Sequence, residues 1–270
     1  MLELCLQQLA PGIQTMDASQ YEVIVSDDGK NNEAKTLIAL SYAWAKWVEG
    51  PKKGPASNRN NGAALAHGEW LVFTDDDCLP DHNWLKAYAE AIETNPGAKA
   101  FEGAILPDNW ELLKKDMAEC PVNTNGGAFW SANIMVEKEL FRQTGGFDEL
   151  FKIAAQEDQD LQIAIKKHSQ ILFAATAIVH HPVRVVELGK MLRQSQARIS
   201  NFLYYATKNS KELGYKSERD IVWKSGVKIQ FISLLKNLRS GRFKAAFLAL
   251  YNCFNYLGKF IVVKQYKMSR

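Results

Sequence analysis

The stretch Glu69-Trp-Leu-Val-Phe-Thr-Asp75-Asp76-Asp77 decides how this chain is read. An apolar, β-prone run with the length of a buried strand stops at three carboxylates. Three adjacent anions repel one another, so such a site is costly unless water or a cation offsets the repulsion. In open α/β sheets, ligands bind beyond the carboxyl ends of the strands. Carboxylate oxygens there suit Mg²⁺ or Mn²⁺, and those cations suit a diphosphate. A solvated acidic turn is the alternative reading of the triplet.

Upstream, Tyr21-Glu-Val-Ile-Val-Ser26 reads as a second strand that also ends in acids, Asp27 and Asp28. Between the two strands the sequence predicts a helix over roughly residues 36–48, then a polar loop. A second helix is centred on Ala63-Ala-Leu-Ala66, with Gly68 as its cap. Two strands joined through helices are expected to run parallel and to bring their acidic ends to one edge. Within the polar loop, Arg59 offers a planar fork suited to bidentate contact with phosphate, or stands solvated at a helix start.

Four segments in this order, EVIVSDDG, NRNNGAALAHGEWLVFTDDDCLPD, TGGFDELF and EDQDLQIAI, resemble family 2 glycosyltransferases of the GT-A fold. The resemblance runs from about Leu2 to Pro182. Each segment alone is a weak signal, because short acidic and glycine-rich strings recur by chance, but four in order are specific. The resemblance implies an α/β fold with a mostly parallel central sheet. It also implies transfer of one sugar from a nucleotide-diphosphate donor to a glycan or lipid-linked acceptor. The processive-synthase pattern Gln-x-x-Arg-Trp is absent. Asp158 matches the family's catalytic aspartate and is expected to be the general base. A sugar hydroxyl is a poor nucleophile at neutral pH and needs a placed carboxylate to take its proton. Acids in the first turn of a helix, stabilised by its dipole, are the structural alternative for Glu157 and Asp158.

By the same resemblance, Asp75 and Asp77 are expected to hold Mn²⁺ or Mg²⁺, with His181 completing the metal site. Asp27, Asp28, Arg59, Asp75 and Asp76 are expected to face the nucleotide-sugar. Trp130 and Glu157 fall on the acceptor side, and packing is the other reading of Trp130. One departure stands out. Family members open with an apolar strand, whereas this chain opens at Met1-Leu-Glu-Leu-Cys-Leu-Gln-Gln-Leu9, which matches the helix after it. The first strand is therefore expected to be absent, through a misplaced start, a truncation or replacement by another segment.

Charge divides the chain. Of 33 Lys and Arg and 30 Asp and Glu in all, residues 1–182 hold 15 basic and 26 acidic, a formal −11, leaving residues 183–270 with 18 and 4, a formal +14. A boundary is drawn there, with a catalytic domain over 1–182 and a basic, aromatic helical region over 183–270. Within the latter, Phe243–Val263 has the length of a bilayer span but is interrupted by Asn252, Asn255 and Lys259. Flanking basic residues favour an interfacial helix on an anionic membrane, anchored by Phe247, Tyr251, Phe254 and Phe260. The chain is expected to be cytoplasmic and peripheral at the inner face of the membrane. Packing on the catalytic domain is the alternative for this helix.

The four cysteines lack metal-type spacing, which points to a reduced setting. No motif supports nucleic-acid binding, and neither a P-loop nor a dinucleotide fingerprint is present. Two other function classes stand beside the transferase. One is a non-catalytic glycosyltransferase-like scaffold, and the other a nucleotidyltransferase of related fold.

Overall fold

The computed structural model describes residues 1–31 and 33–268, with side chains as far as Lys259. The chain forms two compact units. The first takes Met1–Asp108 and Cys120–Pro182; the second takes Asn109–Glu119 and Val183 onward.

The first unit opens on helix α1 (Leu2–Leu9), which buries Cys5, Leu6 and Leu9 on one face. Strand β1 (Ile24–Asp27) pairs in parallel with β2 (Lys46–Glu49), the two joined by α2 (Glu33–Ser41). The helix expected over residues 36–48 thus stops early, because Trp47 and Val48 have a strand partner in Val25 and Ser26. Helix α3 spans Pro55–Leu65 and takes in the polar residues expected to form a loop. Proline at its first position is preset for a helix, and Gly54 before it sits at φ 106°. A Cβ at Gly54 would come within 2.7 Å of the Lys152 carbonyl. The helix caps at Ala66 rather than Gly68.

The triplet follows strand β3 (Trp70–Phe73). Beyond it come β4 (Leu79–Pro80), α4 (Trp84–Thr94) and β5 (Ala100–Pro107). In the second unit a short β6 (Ala118–Glu119) pairs with β9 (Arg184–Val185). The first unit continues with β7 (Ile134–Glu137), α6 (Lys138–Gln143), α7 (Glu157–Lys166) and β8 (Ile171–His181). Helix α5 (Trp110–Leu113) lies in the second unit. The main sheet has the order β3-β7-β5-β8-β4. The α/β class is as expected, but the sheet is mixed. Strand β5 pairs in parallel with β8, while β7 runs antiparallel to both β3 and β5 and β4 runs antiparallel to β8. Strand β7 enters between β3 and β5 from a glycine loop rather than through a crossover helix, and a strand that arrives that way is free to run in reverse. The expected pairing of the two acid-ended strands does not form: β1 and β2 make a separate two-stranded sheet.

The core lies on both faces of the main sheet. One layer joins Trp84 and Tyr88 of α4 to Phe101, Ile105 and Met135. The other joins Phe129, Ile134, Phe141 and Phe147 to Leu161 and Ile165 of α7. Asn133 is fully buried with its side chain satisfied. It accepts from Trp84 Nε1 and Tyr88 Oη and donates to the carbonyls of Ala104 and Ala177.

The second unit is helical. It contains α8 (Leu188–Lys208), α9 (Glu218–Ile221), α10 (Lys228–Arg239) and α11 (Phe243–Met268). Its small core gathers Ile199, Val222, Val227 and Tyr256. Among the described residues no helix is long and apolar enough to cross a membrane. Phe260 lies outside the residues whose side chains are described.

Candidate active site

Helix α3 organises the site by its polar face. Asn58 donates to the Ser26 carbonyl at the end of β1, and Asn60 exchanges hydrogen bonds with the backbone of Phe147. Glu149 accepts from Ser57 and Asn60. The segment Thr144-Gly-Gly-Phe-Asp-Glu149 therefore clamps α3. Gly146 is required there: it sits at φ 69°, and a Cβ would fall 2.7 Å from Asn60 Oδ1.

Between Asn58 and Asn60, Arg59 points inward over the Phe147 ring. Its Nη2 donates to Asp75 Oδ1 at 2.8 Å and its Nη1 to Glu157 Oε1 at 2.9 Å. The guanidinium thus spans the carboxyl end of β3 and the first turn of α7. Its fork is committed to these two carboxylates. Glu157 is 2% exposed and also accepts from the Ala155 N–H.

Asp158 follows. It is 8% exposed, and its carboxylate accepts from the backbone N–H groups of Ser131 at 3.3 Å and Gln159 at 2.8 Å. Burial, then repulsion from Glu157, pushes its pKa up to about 7 against the pull of those N–H groups and Arg59. Gln156 just before α7 is left-handed at φ 69°, a strained conformation for a residue with a side chain. That backbone turn delivers both acids to the interior. Ser131 arrives through the loop Gly126–Phe129, where Gly126, Gly127 and Phe129 all have positive φ. The buried Glu102 carboxylate holds this loop by accepting from Gly127 N, Phe129 N and Asn123 Nδ2. No motif marks Glu102 or Asn123 in the sequence; the paired glycines at 126–127 are the local sign of a shaped loop. Trp130, half-buried, packs against the α4 side of the core.

A second group lies at the other end of the triplet. A carboxylate oxygen of Asp77, the sulfur of Cys78 and a ring nitrogen of His181 all fall within 4.8 Å of one another. His181 Nε2 stands 3.8 Å from Asp77 Oδ1, and its Nδ1 is 3.0 Å from the Pro182 carbonyl. A carbonyl only accepts, so Nδ1 carries a proton, and Nε2 is the ring nitrogen that faces Asp77. A carboxylate and an imidazole suit Mn²⁺. Burial pushes the Cys78 thiol up to about 12, so it stands neutral. Two of the three residues expected to bind metal therefore meet here; the third, Asp75, is paired with Arg59. Cys78, fully buried, is brought here by its place directly after the triplet.

Asp76 is exposed beside the cavity next to β3. Asp27 and Asp28 line the same cavity, and both carboxylates are engaged locally. Asp27 accepts from Gly29 N and Trp47 Nε1, and Asp28 from Lys52 N and Gly54 N.

A mixed α/β sheet, with acids closing β1 and following β3 and a buried carboxylate opening α7, is the arrangement of the fold class known as GT-A. The profile of glycosyl transferase family 2 matches residues 1–145, and the chain belongs to that family. It is 31% identical over 133 residues to the GalNAc(5)-diNAcBac-PP-undecaprenol beta-1,3-glucosyltransferase of Campylobacter jejuni, covering 42% of this chain and 43% of that protein. It is 26% identical over 110 residues to the glucosyl-dolichyl phosphate glucuronosyltransferase of Haloferax volcanii, covering 36% and 35%. The chain thus matches less than half the length of these relatives. Its fold is similar to that of S. aureus TarS 1–349 in complex with UDP-GlcNAc, with a TM-score of 0.57 and 15% identity over 95% of this chain and 88% of that one.

Proposed function

We propose that the chain transfers a single sugar from a nucleotide-diphosphate donor to a hydroxyl of a glycan or lipid-linked acceptor, with inversion at the anomeric carbon. The observation that carries this reading is Asp158: a buried carboxylate, fixed by two backbone N–H groups, with its pKa brought near neutrality. A base that titrates near the working pH is both unprotonated and strong enough to accept a proton. In the proposed step Asp158 takes the acceptor hydroxyl proton as that oxygen bonds to the anomeric carbon. The bond from that carbon to the diphosphate oxygen breaks, and the nucleoside diphosphate leaves. Direct attack from the opposite face inverts the configuration.

The reading assigns Asp77 and His181 to a bound Mn²⁺ or Mg²⁺, with Asp75 assisting. Such a cation supplies Lewis-acid neutralisation of the departing diphosphate. Asp27, Asp28 and Asp76 are assigned to the donor, since acids at strand ends accept from a base N–H or from ribose hydroxyls. Arg59 is assigned to the donor's edge of the site through its hold on Asp75, and Trp130 and Glu157 to the acceptor side. The relatives named for lipid-linked acceptors and the UDP-sugar complex of TarS support a nucleotide-sugar donor and a lipid-linked or glycan acceptor.

Residues 1–182 serve in this reading as the catalytic domain, and 183–270 as a region that holds the protein peripherally at an anionic, cytoplasmic membrane face. In support, Trp223, Phe231, Phe243, Phe247 and Phe254 are exposed, as are Lys224, Lys228, Lys236, Arg239 and Lys244. Aromatic side chains among lysines match an interfacial helix.

Incubation with a panel of UDP- and GDP-sugars and an undecaprenyl-linked sugar acceptor tests the reading. Release of nucleoside diphosphate with one inverted linkage per sugar is expected. Release of pyrophosphate would instead mark nucleotidyl transfer, and no turnover with any donor would favour a scaffold.

A further inference from the structure

Glu102 is a buried acid that the proposed reaction does not use. It stands on β5, between β7 and β8 in the main sheet, and is 4% exposed. Its carboxylate meets three donors: the Phe129 N–H at 2.7 Å, the Asn123 side-chain amide at 2.9 Å and the Gly127 N–H. None of the three is a cation. An ionised carboxylate accepts at both oxygens and donates at neither, so converging N–H groups suit it. All three donors belong to one segment, residues 123–129. Asn123 extends the hold by accepting from the Gly126 N–H at 3.0 Å.

The backbone of that segment does not hold itself. Gly126 and Gly127 sit at φ 78° and 96°, which glycine adopts without penalty. Phe129 sits at φ 46°, a left-handed conformation that a residue with a side chain keeps only where its surroundings over-determine it. Those surroundings are the core, which buries the Phe129 ring completely, and Glu102, which binds its N–H. From the opposite side Gln162 donates to the Gly127 carbonyl at 3.2 Å. Gln162 lies one turn beyond Asp158 on the same face of α7. The loop is thus gripped by β5 on one side and by α7 on the other. Two residues past Phe129, the Ser131 N–H meets Asp158 Oδ2 at 3.3 Å.

We infer that Glu102 is a positioning residue for the proton acceptor: through residues 123–129 it sets where the Ser131 N–H stands against the Asp158 carboxylate. The inference takes Asp158 as the base proposed above. Burial and Glu157, its neighbour on α7, make Asp158 harder to ionise, while the N–H groups of Ser131 and Gln159 and the Arg59 guanidinium of α3 make it easier. Of these groups, Ser131 is the one carried by the loop, so it is the one answerable to Glu102. An N–H bonded to the charged form favours that form, and withdrawing it disfavours ionisation. Loss of Glu102 therefore leaves less of the base ionised on the acid side of neutrality. A role in folding alone would scale activity equally at every pH.

Glu102→Gln keeps the size of the side chain but replaces one acceptor oxygen by a donor, so a loop N–H loses its partner. Asn123→Ala is the milder companion, because it leaves Glu102 in place and removes one of its three donors. The acidic limb of the kcat/KM profile is expected to move to higher pH, by roughly half a unit or more in Glu102→Gln and by less in Asn123→Ala. The titration of Asp158 is read without turnover from carboxyl carbon resonances of isotope-labelled aspartate, assigned by their loss in Asp158→Asn. It should rise with the limb. Amide exchange at Gly127 and Phe129 reports on the loop and should quicken about tenfold. A raised titration with an unmoved kinetic limb supports the role of Glu102 and instead removes Asp158 as the base. Quicker exchange with an unmoved titration makes Glu102 a loop anchor alone and overturns the inference, as does no change in either variant. Should Glu102→Gln fail to fold, the titration in Asn123→Ala decides: a rise supports the inference and none overturns it.

Discussion

Arg59 and Glu157, 98 positions apart, meet at 2.9 Å, with Glu157 buried and Arg59 mostly so. Glu157 is also the neighbour whose charge helps raise Asp158, and Arg59 pulls in the opposite direction. The pair therefore tunes the proposed base as well as joining α3 to α7. Glu157→Gln keeps the shape, removes the repulsion and leaves Arg59 less neutralised. Both changes lower the Asp158 pKa. The acidic limb of the kcat/KM pH profile, expected near pH 7 in the unaltered protein, should move to lower pH. A limb that stays put or moves upward contradicts the coupling. Arg59→Ala is expected to be far more damaging, costing about 3 kcal/mol of stability, because it strands the buried Glu157 carboxylate and unpairs the half-exposed Asp75. Urea unfolding measures that loss.

Much of this site was legible in the sequence, and the rest was not, for one physical reason. The triplet, the acids opening α7 and the histidine before Pro182 are local features of the sequence. The triplet follows β3 and the acids open α7, while His181 ends β8 rather than following it. The role of Arg59 was hidden because its partners come from β3 and α7, and no local pattern marks a pairing over 98 positions. The helix through Asn58-Arg-Asn-Asn61 was hidden too. Asparagine is a poor helix former, and only the tertiary partners Ser26, Phe147 and Glu149 account for it. Strand β2 was lost inside an expected helix because its alternation lasts only four residues.

At the metal-site candidate, Asp77→Asn should remove a hard anionic ligand with little change in volume. Stimulation by Mn²⁺ or Mg²⁺ should fall about 100-fold or more if the cation carries the leaving-group charge, while the thermal midpoint shifts by only a few degrees. Titration calorimetry with Mn²⁺ and UDP checks binding separately from turnover. Full Mn²⁺ affinity in this variant and in His181→Ala would remove the site.

Asp158 predicts a trade between stability and activity. Its folded pKa, about 7, lies above the ordinary value of 3.8, so the folded state holds this proton more tightly than the unfolded chain. The penalty for ionising it is absent below about pH 4, grows through neutrality and is complete above about pH 7. Its upper size is about 4 kcal/mol, from about 1.4 kcal/mol per pKa unit. Asp158→Asn should therefore be more stable than the parent at pH 8 and nearly equal at pH 4. Denaturant midpoints at the two values check this, and equal differences at both would contradict the raised pKa.

The exposed aromatic and basic side chains of the helical unit predict binding to vesicles containing anionic phosphatidylglycerol. Flotation should weaken as salt shortens the Debye length from about 8 Å at physiological ionic strength toward about 3 Å at 1 M. Replacing Phe247 and Phe254 by serine should reduce binding at every salt concentration, because it removes the apolar anchor. Flotation that resists both high salt and carbonate would contradict peripheral binding, and none at low salt would remove the membrane from the account.

The most direct test of the central claim is the turnover of Asp158→Asn with the donor and acceptor found active in the parent. The variant keeps the shape of the side chain and loses the proton acceptor. The account predicts a kcat lower by about 100-fold or more, with donor Kd unchanged within about twofold. A kcat within about threefold of the parent would show that another group takes the acceptor proton.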